Sequence, residues 1–349
     1  MLKITAPFKE KKEVVPLIEA GADELYCGYI SPEWVKKYTN WEFERKGGRS
    51  NFTDLQELKE AVDLARQRNT SVSLTLNGLY VNSQYPLLLR TITDVERIDF
   101  DAFIVADLGL LLTLKKMKTK KQIHLSTGGT VFNSEAARFY KKLGVSRIIL
   151  DRQTSLEAMK SISQDNPNLD FEVFILNTLC VNIDGFCTFL HTYASDSMED
   201  ISKKGWKENQ KLHIMTTYDT HPKADACCLK YSVEVMDPLS CKRVKSKEIR
   251  PTFFKQLMDG AECGACAVYD IRHTKVKALK IVGRQLTPDM RLKSTRFMRR
   301  TLDILTNDRN IERKVFIHRV QGLYRDIFEY QKICQGNNCY HPEILLYRK

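Results

Sequence analysis

The chain reads Phe171-Glu172-Val173-Phe174-Ile175-Leu176 just before its longest segment without a regular strand and helix pattern. A short apolar run rich in aromatic and β-branched residues predicts a strand that is buried on both faces. Runs of the same kind recur along the chain, and most are followed by a helical pattern. We predict eight strands, at residues 2–5, 24–29, 72–77, 102–106, 122–126, 147–151, 171–177 and 278–282.

The segments between these strands carry helix signals. Residues 53–68 have apolar side chains at helical spacing, and Thr53 with Gln56 three positions later fits a capping box. Residues 134–143 and 155–162 each open on a serine, which can accept hydrogen bonds from first-turn amides. Strands that alternate with helices predict a parallel sheet, and eight strands are the number that closes a TIM-like β/α barrel.

One connection is too long for an ordinary β/α turn. Residues 178–277 follow the seventh strand and hold Cys180, Cys187, Cys227, Cys228, Cys241, Cys263 and Cys266, seven of the ten cysteines. Barrel enzymes place their chemistry at the carboxyl ends of the strands, where this insertion begins. We therefore predict a barrel domain over residues 1–290 that includes the cysteine-rich insertion, and a helical C-terminal extension over residues 291–349.

Composition indicates compartment and partners. The net charge of +12 favours a polyanionic partner such as RNA, although a basic surface also serves solubility. The N-terminal residues do not resemble a signal peptide, and no apolar run reaches the roughly 18 residues of a membrane span. We expect a cytoplasmic protein without a membrane span. In that reducing compartment ten cysteines are better explained by metal binding than by disulfides.

The spacing of the cysteines leaves the metal open. Cys263 and Cys266 form the CxxC unit that zinc sites favour, whereas the six residues between Cys180 and Cys187 suit an iron–sulfur cluster. We interpret Cys334 and Cys339 as a tail feature, either an unrelated metal site or two free thiols. The chain has no HExxH, GxSxG or GxxxxGK[ST] motif, so it gives no positive sign of these hydrolase or nucleotide-binding sites.

The stretch from Glu172 to Cys187 resembles the signature of the collagenase-like peptidase family U-32, in which two cysteines stand seven apart around a glycine. Other landmarks of that family follow in order along residues 3–290. They are Gly21-Ala22-Asp23-Glu24-Leu25-Tyr26-Cys27-Gly28, Arg49-Ser50-Asn51-Phe52, Thr75-Leu76-Asn77, Asp107-Leu108-Gly109, His124-Leu125-Ser126-Thr127, Asn133 and Lys280-Ile281-Val282-Gly283-Arg284.

The resemblance implies an oxygen-independent hydroxylase that carries a 4Fe–4S cluster on four cysteines. Members of this kind modify RNA pyrimidines or a quinone precursor, with the carboxylate prephenate as oxygen donor for the RNA enzymes. It implies Cys180, Cys187, Cys263 and either Cys227 or Cys228 as ligands, with Cys266 as a substitute and zinc as the alternative metal.

The chain departs from the family pattern at Asn177-Thr178, at Val282 and at Gly128, so the resemblance leaves room for a different substrate. A collagenase-like peptidase and a non-catalytic scaffold subunit of a modification complex with a protein partner are the alternatives. We expect polar residues near strand ends to orient anionic substrate groups, with strand-end salt bridges as the alternative role. These are Arg49, Asn51, Asn77, Asp107, Arg152, Glu172 and Arg284.

Overall fold

The structure is a computed structural model that describes residues 2–38, 50–177, 183–186, 231–236, 243–249, 262–329 and 339–346. Eight parallel strands close a barrel in the order β1-β2-β3-β4-β5-β6-β7-β10. The strands are β1 Lys3–Pro7, β2 Glu24–Gly28, β3 Ser71–Leu76, β4 Ala102–Val105, β5 Gln122–Leu125, β6 Arg147–Leu150, β7 Asp170–Leu176, β8 Tyr231–Met236, β9 Arg243–Ile249 and β10 Val276–Ile281.

The predicted TIM-like barrel is confirmed, and each of the eight predicted strands overlaps one barrel strand. The barrel strands are almost completely buried, because helices cover the outside while side chains fill the inside. The helices are α1 Val14–Glu19, α2 Pro32–Lys37, α3 Leu55–Arg66, α4 Tyr85–Glu96, α5 Leu108–Met117, α6 Ser134–Lys142, α7 Leu156–Asp165, α8 Val268–Ile271, α9 Pro288–Asn307, α10 Arg313–Phe328 and α11 Glu343–Leu346.

Two of the three predicted helix caps are one residue off. Asp54, and not Thr53, caps α3 by accepting from the amides of Gln56 and Glu57. Asn133 caps α6 in the same way, so that Ser134 becomes the first helical residue. Ser155 caps α7 as predicted. A carboxylate or an amide is at least as good a cap as a hydroxyl, which explains the choice where two candidates adjoin.

The insertion after β7 contains a separate compact unit, Thr188–Asp259. Within it, β8 and β9 pair as an antiparallel hairpin, with Tyr231 opposite Ile249. The other unit comprises Met1–Cys187 and Gly260–Lys349, so α9 and α10 belong to the same unit as the barrel. The expected boundary between residues 290 and 291 falls inside α9.

Helix α9 is fixed to the barrel by a buried ion pair. The guanidinium of Arg291 is fully buried and contacts Glu13, which lies just before α1. Farther along α9, Arg299 donates to the carbonyl of Gly21 and to Asp23. Two arginines of the basic segment 291–300 therefore serve packing. No helix in the part of the chain that the structure describes has the length and apolar character needed to cross a bilayer.

Candidate functional site at the carboxyl end of the barrel

Side chains inside the barrel form layers, because every second residue of a strand points inward. Glu24, Tyr26 and Gly28 follow one another at this spacing on β2, and Lys280, Val282 and Arg284 do so on β10 and just after it. The first of each three lies deepest and the last lies at the carboxyl-terminal mouth. From the deepest level outward, the inside of the barrel therefore has a charged layer, an aromatic and aliphatic layer, and a polar mouth.

The deepest layer is an ion network, which we define as Glu24, Arg147, Glu172 and Lys280. Arg147 donates to Glu24 at 3.0 Å through Nη2 and to Glu172 at 3.0 Å through Nη1. Lys280 Nζ lies 2.6 Å from the other oxygen of Glu172. Glu172, a candidate catalytic residue from the sequence, is only 1% exposed and thus lies well below the mouth.

Opposite charges keep the carboxylates of the ion network ionised. Burial alone would raise the pKa of Glu24, but hydrogen bonds and charge from Arg147 and Lys3 lower it to about 2. Burial likewise opposes ionisation of Glu172, yet the charges of Lys280 and Arg147 lower its pKa. His124 lies close to this network, and burial together with the charge of Arg147 lowers its pKa to about 3. At neutral pH the histidine is therefore uncharged.

The layer above is apolar. Its residues come from β2, β4, β6 and β7, from the position after β10 and from the C-terminal segment: Tyr26, Ile104, Ile149, Phe174, Val282 and Tyr340. Lys280 Nζ lies 3.9 Å from the ring centroid of Tyr26, and the Tyr26 hydroxyl donates to the carbonyl of Ile281 at 3.0 Å. This layer separates the ion network from the mouth.

At the mouth, three side chains form what we call the mouth cluster: Asn51, Thr75 and Arg284. Arg284 Nη1 donates to Asn51 Oδ1 at 2.8 Å and to Thr75 Oγ1 at 2.9 Å. Gly28 leaves the space that this contact needs, since a Cβ there would collide with Asn51 and Arg284 and lie 2.8 Å from Thr75 Oγ1. The structure thus brings Arg284 and Asn51 into contact, while Arg49 lies outside the described residues.

Asn77 and Asp107, also expected near the mouth, have different surroundings. Asp107 is the cap of α5 and also accepts from the amide of Tyr80 and the hydroxyl of Tyr85. Its oxygens are thus engaged in local structure. The Oδ1 atom of Asn77 is buried and accepts no hydrogen bond from the described residues. A buried amide oxygen of this kind marks a place where a bound group would improve the hydrogen bonding.

The loop between Cys180 and Cys187 is fixed through Asp184. Its carboxylate accepts from Thr127 Oγ1 at 2.6 Å and pairs with Arg152 at 3.0 Å, and its amide donates to Asp151 Oδ2. Arg152 also stacks over the ring of Phe174 at 4.7 Å. Next to Asp184, a Cβ at Gly185 would lie 2.7 Å from the carbonyl oxygen of Gly128. Residues 183–186 therefore pack closely against the ends of β5 and β6.

Of the predicted metal ligands, Cys263 and its substitute Cys266 lie in the described residues; Cys180, Cys187, Cys227 and Cys228 lie outside them. Cys263 forms β-bridges with Leu176 at the end of β7 and with Cys339. Its Sγ accepts from the amide of Ala265 at 3.4 Å. Within the described ranges, no three cysteine, histidine, aspartate or glutamate side chains converge as a metal site.

Sequence reasoning did not single out Asp184, Tyr340 or Cys339 as parts of this site. The sequence could have indicated Asp184, because an acidic residue between two predicted ligands suggests that the loop is held by a polar contact. Tyr340 and Cys339 lie more than 70 residues after Cys263, and only the folded chain places Cys339 beside it. The sequence suggests that Cys339 belongs to a separate tail feature. The structure instead pairs Cys339 with Cys263, which lies at the mouth of the barrel.

The sequence of the chain is similar to those of several known proteins. The model of "Peptidase family U32" matches residues 9–342. The "tRNA hydroxylation protein P" of Helicobacter pylori is 31% identical over 53% of this chain and 42% of that protein. The "23S rRNA 5-hydroxycytidine C2501 synthase" of Escherichia coli is 27% identical over 56% of this chain and 27% of that protein.

A third relative is named for a different activity, the "Collagenase" of Porphyromonas gingivalis, which is 24% identical over 67% of this chain and 58% of that protein. The chain spans less than half of the length of the two RNA-related proteins that it matches. Since the family model covers nearly the whole sequence, the chain belongs to peptidase family U32.

Proposed function

We propose that the chain is an RNA-modifying enzyme of the hydroxylase type that works without molecular oxygen and binds a 4Fe–4S cluster at the barrel mouth. One observation carries this proposal. Cys263 is bridged to the end of β7, and the loop between Cys180 and Cys187 is fixed to the ends of β5 and β6. Cys263 and Phe186, the residue before Cys187, thus lie at the end of the barrel where barrel enzymes react, which supports a cluster there.

The chemistry of the donor set fits the cluster. Cysteine thiolates are the soft ligands that iron–sulfur clusters and zinc share. An amide that donates to a cysteine sulfur, as Ala265 does to Cys263, stabilises negative charge on that sulfur and tunes a bound cluster. When bound, the cluster would supply electrons or polarise an oxygenated donor. Zinc stays the alternative metal, and iron and sulfide analysis separates the two.

The mouth cluster supports a carboxylate as the oxygen donor. Arg284 is held by Asn51 and Thr75, so the plane of its guanidinium is fixed before any ligand arrives. A planar guanidinium can bind both oxygens of a carboxylate, which suits a donor such as prephenate. The buried Oδ1 of Asn77 would accept from a hydroxyl of the same donor. These residues would orient the donor above the apolar layer.

The net charge of +12 and the RNA-related relatives support RNA as the substrate. The lysines at 115–121 do not serve this site directly. Helix α5 begins after the carboxyl end of β4 and ends before the first residue of β5, so these lysines lie at the opposite end of the barrel. RNA contacts near the mouth would have to come from other basic residues.

The test is a comparison of nucleosides from the RNA of a deletion strain with those of its parent, by liquid chromatography and mass spectrometry. We expect one hydroxylated pyrimidine to disappear and to return when the wild-type gene is restored, but not when Arg284→Gln is restored. An unchanged nucleoside profile would contradict RNA hydroxylation. Anaerobic purification should yield iron and sulfide in equal amounts, and zinc without sulfide would contradict the cluster.

The family name and the collagenase relative favour peptidase activity as the second candidate. A peptidase would cleave gelatin or casein after the iron has been removed by a chelator. We expect no cleavage by the purified chain in either state, since the mouth cluster of Arg284, Asn51 and Thr75 contains no nucleophile paired with a general base. Chelator-resistant cleavage would favour the peptidase.

A further inference from the structure

The C-terminal segment places a second cysteine beside Cys263. Cys339 pairs with Cys263 in a parallel β-bridge, and the amide of Tyr340 donates to the carbonyl of Cys263 at 3.1 Å. Strands paired in this way lie about 4.8 Å apart, and directly paired residues have side chains on the same face. We call Cys263 and Cys339 the thiol pair.

The position of Cys339 is fixed by its neighbour. The ring of Tyr340 is buried in the apolar layer of the barrel, and its hydroxyl contacts the carbonyl oxygen of Asn177. On the other side of the bridge, a Cβ at Gly264 would lie 2.9 Å from Cβ of Tyr340 and 3.3 Å from His341. The segment is thus packed against Cys263 over three consecutive residues and is not a loose tail.

The surroundings of the thiol pair also suit a bound polar group. His341 is only 1% exposed, and its Nε2 atom makes no hydrogen bond with the described residues. Its Nδ1 atom lies 3.5 Å from a carboxylate oxygen of Glu343. A buried imidazole N–H without a hydrogen-bond acceptor costs free energy. The sulfides or thiolates of a cluster could accept this hydrogen bond.

We propose that Cys339 is a ligand of the same metal–thiolate centre as Cys263, so that the C-terminal segment completes the cluster site. The inference rests on the cluster of the proposed function. The quartet would then be Cys263 and Cys339 together with Cys180 and Cys187, the two predicted ligands that lie outside the described residues. In this assignment neither Cys227 nor Cys228, which the family resemblance offers for one position, is a ligand.

Of the assigned quartet, Cys263 and Cys339 are described residues, whereas Cys180 and Cys187 are not. Cys266, the remaining cysteine of the CxxC unit, has no ligand role in this assignment and packs partly against the core.

The test loads anaerobically purified chains with ferrous iron and sulfide. Cys339→Ser should lose at least half of the iron and sulfide per chain and change the electron paramagnetic resonance spectrum of what remains. Cys334→Ser, five residues earlier in the same segment, is the matched control and should load like the wild type. The double variant Cys227→Ser/Cys228→Ser should also load like the wild type.

A second measurement needs no variant and is independent of folding defects. In the loaded wild-type chain, alkylation followed by mass spectrometry should find Cys339 protected and Cys334 labelled. After removal of iron by a chelator under reducing conditions, Cys339 should become as reactive as Cys334. The ratio of the two labels in one peptide digest is the readout.

The outcomes separate the inference from the proposed function. If the wild type binds no iron and sulfide, the cluster itself is wrong. If the wild type and Cys339→Ser load equally and give one spectrum while Cys263→Ser does not load, only the role of Cys339 is wrong. A Cys263–Cys339 disulfide in anaerobically isolated protein would also overturn it, because the spacing of the pair suits such a bond.

Discussion

The barrel buries polar groups at two levels, and they differ in how their charges are neutralised. In the ion network each charged group contacts one of opposite sign, from Glu24 through Arg147 and Glu172 to Lys280. In the mouth cluster Arg284 contacts the neutral oxygens of Asn51 and Thr75. The charges of the network are therefore paired with one another, whereas the contacts of Arg284 with Asn51 and Thr75 are with neutral groups.

Because of this difference, we expect different roles for the first and last residues of the segment Lys280-Ile281-Val282-Gly283-Arg284. Lys280 and Arg284 stand four residues apart at the end of β10, yet the apolar layer with Val282 lies between their levels. We expect Lys280 to contribute to the stability of the barrel, and Arg284 to have the ligand-binding role that we propose for it. Substitutions at the two levels should therefore change different measured quantities.

The largest effect should follow from opening the ion network. Glu172→Gln leaves Arg147 and Lys280 buried with one carboxylate fewer, so we expect the free energy of unfolding to fall by about 3–5 kcal/mol. Urea denaturation measures this. Asp63→Asn, which removes an exposed pair with Lys59 at 2.7 Å, is the control and should leave the free energy of unfolding nearly unchanged.

A double variant sharpens that prediction. Lys280→Met in the Glu172→Gln background removes the charge that lost its partner, so part of the stability should return. Additive losses in the two single variants and the double variant would show that Glu172 and Lys280 do not act as a pair.

At the mouth, a smaller change should appear in activity rather than in stability. Arg284→Lys keeps the charge but loses the planar fork, so we expect RNA hydroxylation to fall by about 10–100-fold, as for the loss of one charged hydrogen bond. The level of the modified nucleoside in a complemented deletion strain measures this. Arg296→Lys, at an exposed position of α9, is the control; equal activity of the two variants would contradict the role of Arg284.

The sequence predicted the barrel well because its strands are buried on both faces and therefore carry continuous apolar runs, as in residues 171–176. It predicted Arg284 near a strand end for the same reason. The cap of α3 was missed by one residue, since Thr53 and Asp54 are both good caps and only the backbone selects between them.

Contacts between distant parts of the chain were beyond sequence reasoning. The bridge between Cys263 and Cys339 and the insertion of Tyr340 into the barrel depend on how the C-terminal segment returns to β7. The partner of Arg152 was also unpredicted, because Asp184 reaches it only through the fold. Periodicity describes an element and its faces, and it carries no information on which loops meet.

The contacts of Asp184 allow a further test, which concerns the mouth of the barrel and not the ion network. Asp184→Asn weakens the pairing with Arg152 and the contact with Thr127, so the loop between Cys180 and Cys187 should lose its fixed position. We expect iron and sulfide per chain to fall by about half, since a misplaced ligand weakens metal binding about 10-fold or more. Asp165→Asn, an exposed carboxylate next to Ser134, is the control. Full loading of Asp184→Asn would show that the cluster does not depend on this loop.

The smallest effect should come from His124, next to the ion network. Burial and the charge of Arg147 lower the pKa of this histidine to about 3, below its ordinary value of 6.5. Below pH 6.5 the unfolded chain therefore binds a proton that the folded chain does not, and stability falls as the pH falls. The slope from this one group is roughly 1.4 kcal/mol per pH unit.

Urea denaturation between pH 6.5 and 5 isolates this slope, because Glu24, with an ordinary pKa of 4.5 and a folded pKa of about 2, loses its stabilising contribution only at lower pH. His124→Gln removes the titration, so its stability should fall less steeply than that of the wild type. His318→Gln removes an exposed imidazole from α10 and serves as the control. Parallel pH profiles for the wild type and His124→Gln would mean that the buried histidine takes up a proton in the folded barrel, and that the ion network accommodates charge as readily as the mouth does.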